Sequence, residues 1–155
     1  MQLLQRAQVA SFCNEIKNQN KKIVFTNGCF DILHLGHVKY LAQARALADF
    51  LFVGLNSDVS VAQLKGVHRP VQHQQDRAEI LLSLKSVDAV SIFEEATPLE
   101  LIKLVKPYVL VKGGDWAPDK IVGGPFVQSL GGSVKSLPFV MGYSTSTIIE
   151  KIQKL

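Results

Sequence analysis

Among 155 residues there are two cysteines, Cys13 and Cys29, and a single tryptophan. No apolar run approaches the roughly 18 residues that a membrane-spanning helix requires. So few cysteines exclude a disulfide-stapled scaffold and read as reduced thiols, although spacing alone leaves one pair open. Residues 1 to 20 carry charges and amides where a signal peptide needs an unbroken apolar centre, so the expectation is a cytoplasmic chain without a membrane partner. Long basic runs are missing as well: 17 Lys and Arg stand against 13 Asp and Glu, and no basic run exceeds Lys21-Lys22. That modest excess suits an anionic small molecule and argues against nucleic acid. The phosphate loop G-x-x-x-x-G-K-[ST], the dinucleotide pattern G-x-G-x-x-G and the zinc-protease pattern H-E-x-x-H are all absent.

What is present is an alternation. The apolar content of 47% and the length fit one domain over residues 1–155, with an N-terminal helix, Leu3 to Ile16, packed on it from within the first 20 residues. Lys22 to Thr26, Phe50 to Leu55, Val87 to Phe93, Tyr108 to Val111 and Ser133 to Leu137 read as five buried strands. Helical patterns separate them, over Val38 to Leu47, Asp58 to Leu64, Asp76 to Leu84, Pro98 to Val105 and Phe126 to Leu130, and Ser144 to Ile152 closes the chain. Strand, helix and strand in sequence imply right-handed βαβ units. The expected fold is α/β, an open five-stranded parallel sheet with helices on both faces.

The chemistry concentrates where the first strand hands over to its helix, at Asn27-Gly28-Cys29-Phe30-Asp31-Ile32-Leu33-His34-Leu35-Gly36-His37. Ligands of open parallel sheets bind at such strand ends. Two glycines permit close backbone approach, and His34 and His37 lie beside a helix N-terminus that attracts anions. Asp31, His34 and His37 are also metal-ligand types, but the glycine and the helix start fit a phosphate better. Lys39 projects from the same helix and is read either as a phosphate contact or as a solvated lysine. Lys112-Gly113-Gly114-Asp115 leaves a later strand at its carboxyl end and should face the same crevice. Lys112, Gly114 and Asp115 are assigned to the nucleotide or sugar side without choosing between them. Trp116 either borders the ligand or covers the core edge.

The stretch Gly28 to His37, with H-x-G-H intact, resembles the signature of the cytidylyltransferase-like nucleotidyltransferases, a Rossmann-like family. Ser144-Thr145-Ser146-Thr147 resembles the family's second motif, a Ser-Thr-rich helix start that holds the nucleotide phosphates. Asn56-Ser57-Asp58, Arg69-Pro70-Val71, Val111 to Asp115 and the final Ser-Thr-x-x-Ile-Ile look most like the heptose 1-phosphate adenylyltransferase domain of bacterial ADP-heptose and lipopolysaccharide core biosynthesis. The resemblance implies ATP as substrate with Mg²⁺, a sugar 1-phosphate acceptor and a homodimer. It also implies a functional link to a heptose 7-phosphate kinase, to which such domains are often fused. His34, His37 and Lys39 then become the catalytic candidates. Asn27, Gly28, Cys29, Phe30, Asp31, Gly36, Ser144, Thr145, Ser146 and Thr147 border the nucleotide. Asn56, Asp58, Arg69 and Arg77 are candidates for the acceptor side, with a salt bridge to Asp76 or Glu79 as the other explanation of Arg77. Two rival readings stand beside this one. The first is cytidylyl transfer to glycerol 3-phosphate or a similar small phosphorylated alcohol, and the second is a non-catalytic nucleotide-binding module.

Overall fold

The computed structural model describes residues 1–114, 116–138 and 140–155. Its elements run β1 (Gln2–Leu3), α1 (Arg6–Asn18), β2 (Ile23–Gly28), α2 (Leu35–Arg45), β3 (Phe50–Asn56), α3 (Asp58–Lys65) and α4 (Gln74–Leu82). They continue with β4 (Ala89–Phe93), α5 (Leu99–Val105), β5 (Val109–Gly113), a short 3₁₀ turn (Pro118–Lys120), α6 (Gly124–Ser129), β6 (Ser133–Leu137) and α7 (Thr145–Ile152). The strands form one parallel sheet in the order β1-β4-β3-β2-β5-β6. Helices cover both faces, as the alternating pattern implies.

The sheet has six strands and not five. The added one is the edge pair Gln2 and Leu3, fixed where the Gln2 N–H donates to the Asp88 carbonyl and the Leu4 N–H to the Val90 carbonyl. Two residues carry no periodic signal, and Leu3 and Leu4 fit a helical stripe equally well, so the helix predicted from Leu3 begins at Arg6 instead. There the Gln5 N–H is capped by the Gln8 side chain at 2.9 Å.

Strand side chains alternate between two cores. Phe25 of β2 and Phe52 of β3 face Val9, Cys13 and Ile16 of α1, Leu101, Ile102 and Val105 of α5, and Val127 of α6. Val24 of β2, with Leu51, Val53 and Leu55 of β3, faces Leu41 and Ala44 of α2 and Ala78 and Leu81 of α4. Burial on both faces is why these strands read as continuous apolar runs. Each such fully buried side chain contributes about 1.5–3 kcal/mol.

The strand order places the functional crevice. From β2 the chain steps outward through β3 to β4, then returns to the other side of β2 with β5 and β6. The direction of travel therefore reverses between β2 and β5, which pair through Val24 with Val109 and Phe25 with Leu110. Loops leaving the carboxyl ends of two such strands diverge to opposite faces and open a cleft between them.

Candidate active site

A crevice of about 920 Å³ opens at this reversal point. Its floor is the end of β2 and the turn after it, where Asn27, Gly28, Cys29, Phe30 and Asp31 all line the cavity. His34, Gly36 and His37 form one wall, Lys112 enters from β5, and Ser144, Thr145 and Ser146 close the far side from the start of α7. Segments 113 residues apart thus converge, and the Thr145 hydroxyl donates to the Ile32 carbonyl at 3.3 Å.

The two histidines are set by the first turn of α2. His34 is its N-cap residue in extended conformation, and its carbonyl accepts the His37 N–H at 2.9 Å and the Val38 N–H at 3.2 Å. Backbone N–H groups in the first turn of a helix lack intrahelical acceptors, so those of Leu35 and Gly36 remain available to an anion. The imidazole rings stack with centroids 3.8 Å apart, Phe30 packs edge-on to His37, and Tyr143 lies parallel to His34 at 6.3 Å. Gly36 is required by this crowding: a Cβ there would lie 2.9 Å from His34 Nδ1 and 3.1 Å from the Tyr143 Cβ.

Nδ1 of each histidine is buried without a hydrogen-bond partner among the described residues. Burial, and then the neighbouring His34, push the His37 pKa down to about 4, and burial lowers that of His34 as well. Both rings are therefore neutral at neutral pH, and each donates through one nitrogen. Because the folded His37 pKa lies below its unfolded value, the unfolded chain binds the extra proton between them. This contribution to stability is complete above the ordinary histidine pKa of about 6.5 and is lost as pH falls toward the folded value. An NMR titration of the ligand-free protein is expected to show His37 C–H resonances moving with a midpoint about 4. A midpoint at the ordinary histidine value would contradict the buried, unpaired ring.

The opposite helix start is built by its own hydroxyls. Ser144 caps α7, its Oγ accepting the Thr147 N–H at 3.0 Å while pairing with the Thr147 hydroxyl at 2.8 Å. Ser144, Thr145 and Ser146 reach the cavity, whereas Thr147 is turned to this capping contact and does not line it. Burial lowers the Lys112 ammonium pKa, with the Cys29 thiol acting the other way. Burial raises the pKa of Cys29, the reverse of what a nucleophilic cysteine needs.

Several predicted residues act elsewhere. Lys39 is exposed and absent from the crevice wall, because two positions along a helix from His37 is the opposite face. Tyr40, three positions on, takes that place, and its hydroxyl bonds Thr26 Oγ1 at 2.6 Å. Asp31 lines the cavity with its carboxylate engaged: Oδ2 accepts Arg69 Nε at 2.6 Å, and Oδ1 accepts the N–H groups of Val71 at 2.8 Å and Gln72 at 3.1 Å. It thereby presents Arg69 to the crevice. Asn56 also reaches it. Gly114 lies behind the wall, its N–H on the Leu137 carbonyl, and Asp115 falls outside the described residues.

Arg77 and Asp58 form an internal brace. The Arg77 side chain is fully buried, and its partner is Asp58 at 2.6 Å, not Asp76 or Glu79. The same guanidinium donates to the carbonyls of Cys29 at 2.6 Å, Asn56 at 2.9 Å and Gln72 at 3.0 Å. One side chain thus ties together the backbone after β2, the end of β3 and the segment before α4. Burial opposes the Asp58 charge, yet hydrogen bonds from Arg77, Gln74 and His73 hold its carboxyl below the usual range.

Apart from Trp116, the residues of the outer lobe of the crevice carry no signal in the sequence. Lys65 ends α3, Thr97 and Pro98 precede α5, Trp116 and Lys120 follow β5, and Met141 and Tyr143 precede α7. Trp116 therefore borders the cavity and does not cover the core edge. Among the described residues there is no cluster of three His, Cys, Asp or Glu fit to hold a metal. The triad of Asp31, His34 and His37 is not such a cluster.

Comparison with known proteins agrees with this architecture. The family model described as cytidylyltransferase-like matches residues 25–151. Bifunctional protein HldE of Pelobacter propionicus is 57% identical over 136 residues, which is 88% of this chain and 28% of that protein. Bifunctional protein HldE of Aliarcobacter butzleri is 54% identical over 147 residues, 95% of this chain and 30% of that protein. The chain thus spans less than a third of the length of these relatives. The crystal structure of the lipopolysaccharide core biosynthesis protein from Thermoplasma volcanium aligns with a TM-score of 0.61 at 30% identity, covering 77% of this chain and 97% of that one. Pantoate-beta-alanine ligase from Francisella tularensis aligns with a TM-score of 0.63 at 16% identity over 99% of this chain and 79% of that one, a likeness of fold.

Proposed function

Because the chain belongs to the cytidylyltransferase-like family, we propose that it transfers AMP from ATP to D-glycero-D-manno-heptose 1-phosphate, giving ADP-heptose and pyrophosphate. The observation that carries the reading is the convergence of two helix starts, His34 to His37 and Ser144 to Ser146, on one crevice. The sugar assignment draws on the resemblance of the outer motifs, on relatives named HldE, and on the lipopolysaccharide core biosynthesis protein among the solved structures. A link to a heptose kinase activity is part of the same proposal, since those relatives are bifunctional.

In this reading a phosphate oxygen of the acceptor attacks the α-phosphorus. One P–O bond forms there as the bond to the bridging oxygen of pyrophosphate breaks. A phosphate monoester, with a second pKa of about 6, is already largely dianionic at neutral pH, so no general base is required. Catalysis reduces to alignment and to donors aimed at oxygens that gain charge. His34 and His37 donate to the α-phosphate and bridging oxygen. The free N–H groups of α2 and α7, with the Ser144 and Thr145 hydroxyls, hold the β- and γ-phosphates. Lys112 adds a positive charge beside the α-phosphate. The backbone from Gly28 to Phe30 borders the base and ribose, and Arg69 and Asn56 face the acceptor. Among the described residues no group of three His, Cys, Asp or Glu is placed to hold a metal, so Mg²⁺ would be held mainly by the triphosphate oxygens and would neutralise part of their charge. The homodimer and the cytoplasmic location complete the proposal. Among the described residues no helix is long and apolar enough to cross a membrane.

The test is a coupled pyrophosphate-release assay with ATP or CTP against heptose 1-phosphate, glycerol 3-phosphate and related phosphates. Release is expected with ATP and the heptose. Release with CTP and glycerol 3-phosphate alone would replace the substrate assignment, and no release from any pair would leave a nucleotide-binding module.

A further inference from the structure

At the end of the sheet opposite the crevice, where β2 and β5 begin, a hollow of about 260 Å³ is lined by Lys17, Lys21, Lys22, Lys106, Tyr108 and Leu130. The four lysines come from three places: the end of α1, the entry to β2 and the residue closing α5. None of them forms an ion pair among the described residues. The neighbouring acid, Asp49, accepts the Lys22 backbone N–H at 2.8 Å, and its carboxylate counts as one negative charge beside the lysines.

Helix capping accounts for part of this charge. Lys17 Nζ donates to the Val105 carbonyl at the end of α5 at 2.6 Å, and the Lys22 ammonium sits 4.2 Å above the Tyr108 ring. A helix C-terminus carries roughly half a negative charge, so the ends of α1, α5 and α6, the last closed by Leu130 in the lining, together offset about one and a half of the four positive charges. With the Asp49 carboxylate counted as well, about one and a half remain, carried by ammonium groups gathered around a concave surface. Lys21 and Lys106 are exposed and make no side-chain hydrogen bond among the described residues. Burial, opposed by the Cys13 thiol and aided to a smaller extent by the Lys106 cation, holds the Lys17 ammonium below its usual pKa.

We propose that this hollow is a second anion site, which takes a small multivalent phosphate, a chain of linked phosphate groups. It is separate from the nucleotide crevice, since the six residues of β2 hold the two ends about 20 Å apart. The Lys21 and Lys106 ammonium groups meet the outer phosphates, and the Lys17 and Lys22 groups close the inner side. Inorganic polyphosphate and the triphosphate of a nucleotide share this chemistry.

The test is an amide NMR titration of the 155-residue chain with inorganic tripolyphosphate and separately with ATP, in buffer free of divalent cations. Tripolyphosphate is expected to give saturable shifts at Lys21, Lys22, Lys106 and Tyr108, with their own midpoint, distinct from shifts at Gly36 and Ser144. The same set of shifts with ATP supports the site with a nucleotide as its source, and their absence with ATP supports it with inorganic polyphosphate as the source. In a Lys21→Glu/Lys106→Glu variant the lower set should weaken roughly tenfold or more while the crevice set keeps its midpoint. Both positions are exposed, and a thermal melt matching the parent confirms that the variant is folded. No saturable shift at these amides, the same shifts with sodium chloride at matched ionic strength, or unchanged binding by the folded variant would each overturn the site.

Discussion

Replacing Arg77 with methionine is expected to lower the melting temperature by on the order of 10 °C and to reduce kcat/KM together with it. The side chain is entirely buried and satisfies four acceptors, the Asp58 carboxylate and the carbonyls of Cys29, Asn56 and Gln72. Methionine fills similar volume without donating, so it leaves those acceptors unpaired and Asp58 without its cation. Asp58 is partly exposed and water can take up part of its charge, so most of the cost comes from the carbonyls left unpaired, about 1–3 kcal/mol each where buried. Of the three carbonyls, that of Cys29 matters most to chemistry, because it fixes the backbone that floors the crevice. Lysine should rescue little, since a single ammonium does not reproduce the guanidinium fork. Calorimetry with parallel kinetics checks both effects; a melting temperature and kcat/KM equal to the parent would remove Arg77 from its bracing role. The brace also sets an acid limit. The folded Asp58 pKa is below its unfolded value, so this part of the stability is present above the unfolded carboxylate pKa and is lost as pH falls through the folded one.

Replacing His37 with alanine is expected to lower kcat on the order of 10²–10³-fold, the cost of one transition-state donor. ATP affinity should stay within about tenfold of the parent, because the donor acts on charge that grows only during transfer. The fold should survive, since the His37 side chain is only partly buried and its Nδ1 makes no hydrogen bond among the described residues. Loss of its ring also removes the stacking partner of His34 at 3.8 Å, so the effects of replacing both should fall short of additivity. Single-turnover kinetics separates the two quantities. A variant with parent kcat would end the catalytic assignment, and one that loses ATP binding in proportion to kcat would recast His37 as a ground-state contact.

The β2–α2 junction was legible in sequence because two signals coincide there. A doubly buried strand leaves an unbroken apolar run, and Gly36 beside two histidines marks a helix start that an anion can approach. The capping hydroxyl of Ser144 carries the same information at α7. Less legible were features that depend on angle or on distant packing. Of the two readings of Lys39 the structure favours the solvated lysine, because adjacency in sequence to His37 is not adjacency on a helix face. The partner of Arg77 was sought at Asp76 and Glu79, on its own helix, whereas the first residue of α3, tied to the start of α4, supplies Asp58. Asp31 shares the signature stretch but spends its carboxylate on Arg69 and two backbone amides. The outer lobe, from Lys65 through Trp116 to Tyr143, lies at the ends of elements and in loops whose sequences have no period, so only the folded chain brings it together.

The most direct test of adenylyl transfer follows the label. With heptose 1-phosphate and ATP labelled at the α-phosphorus, the label is expected to appear in ADP-heptose, whereas label at the γ-phosphorus should leave wholly in pyrophosphate. Label from the γ-position in the sugar product, or none from the α-position, would contradict attack at the α-phosphorus in this crevice.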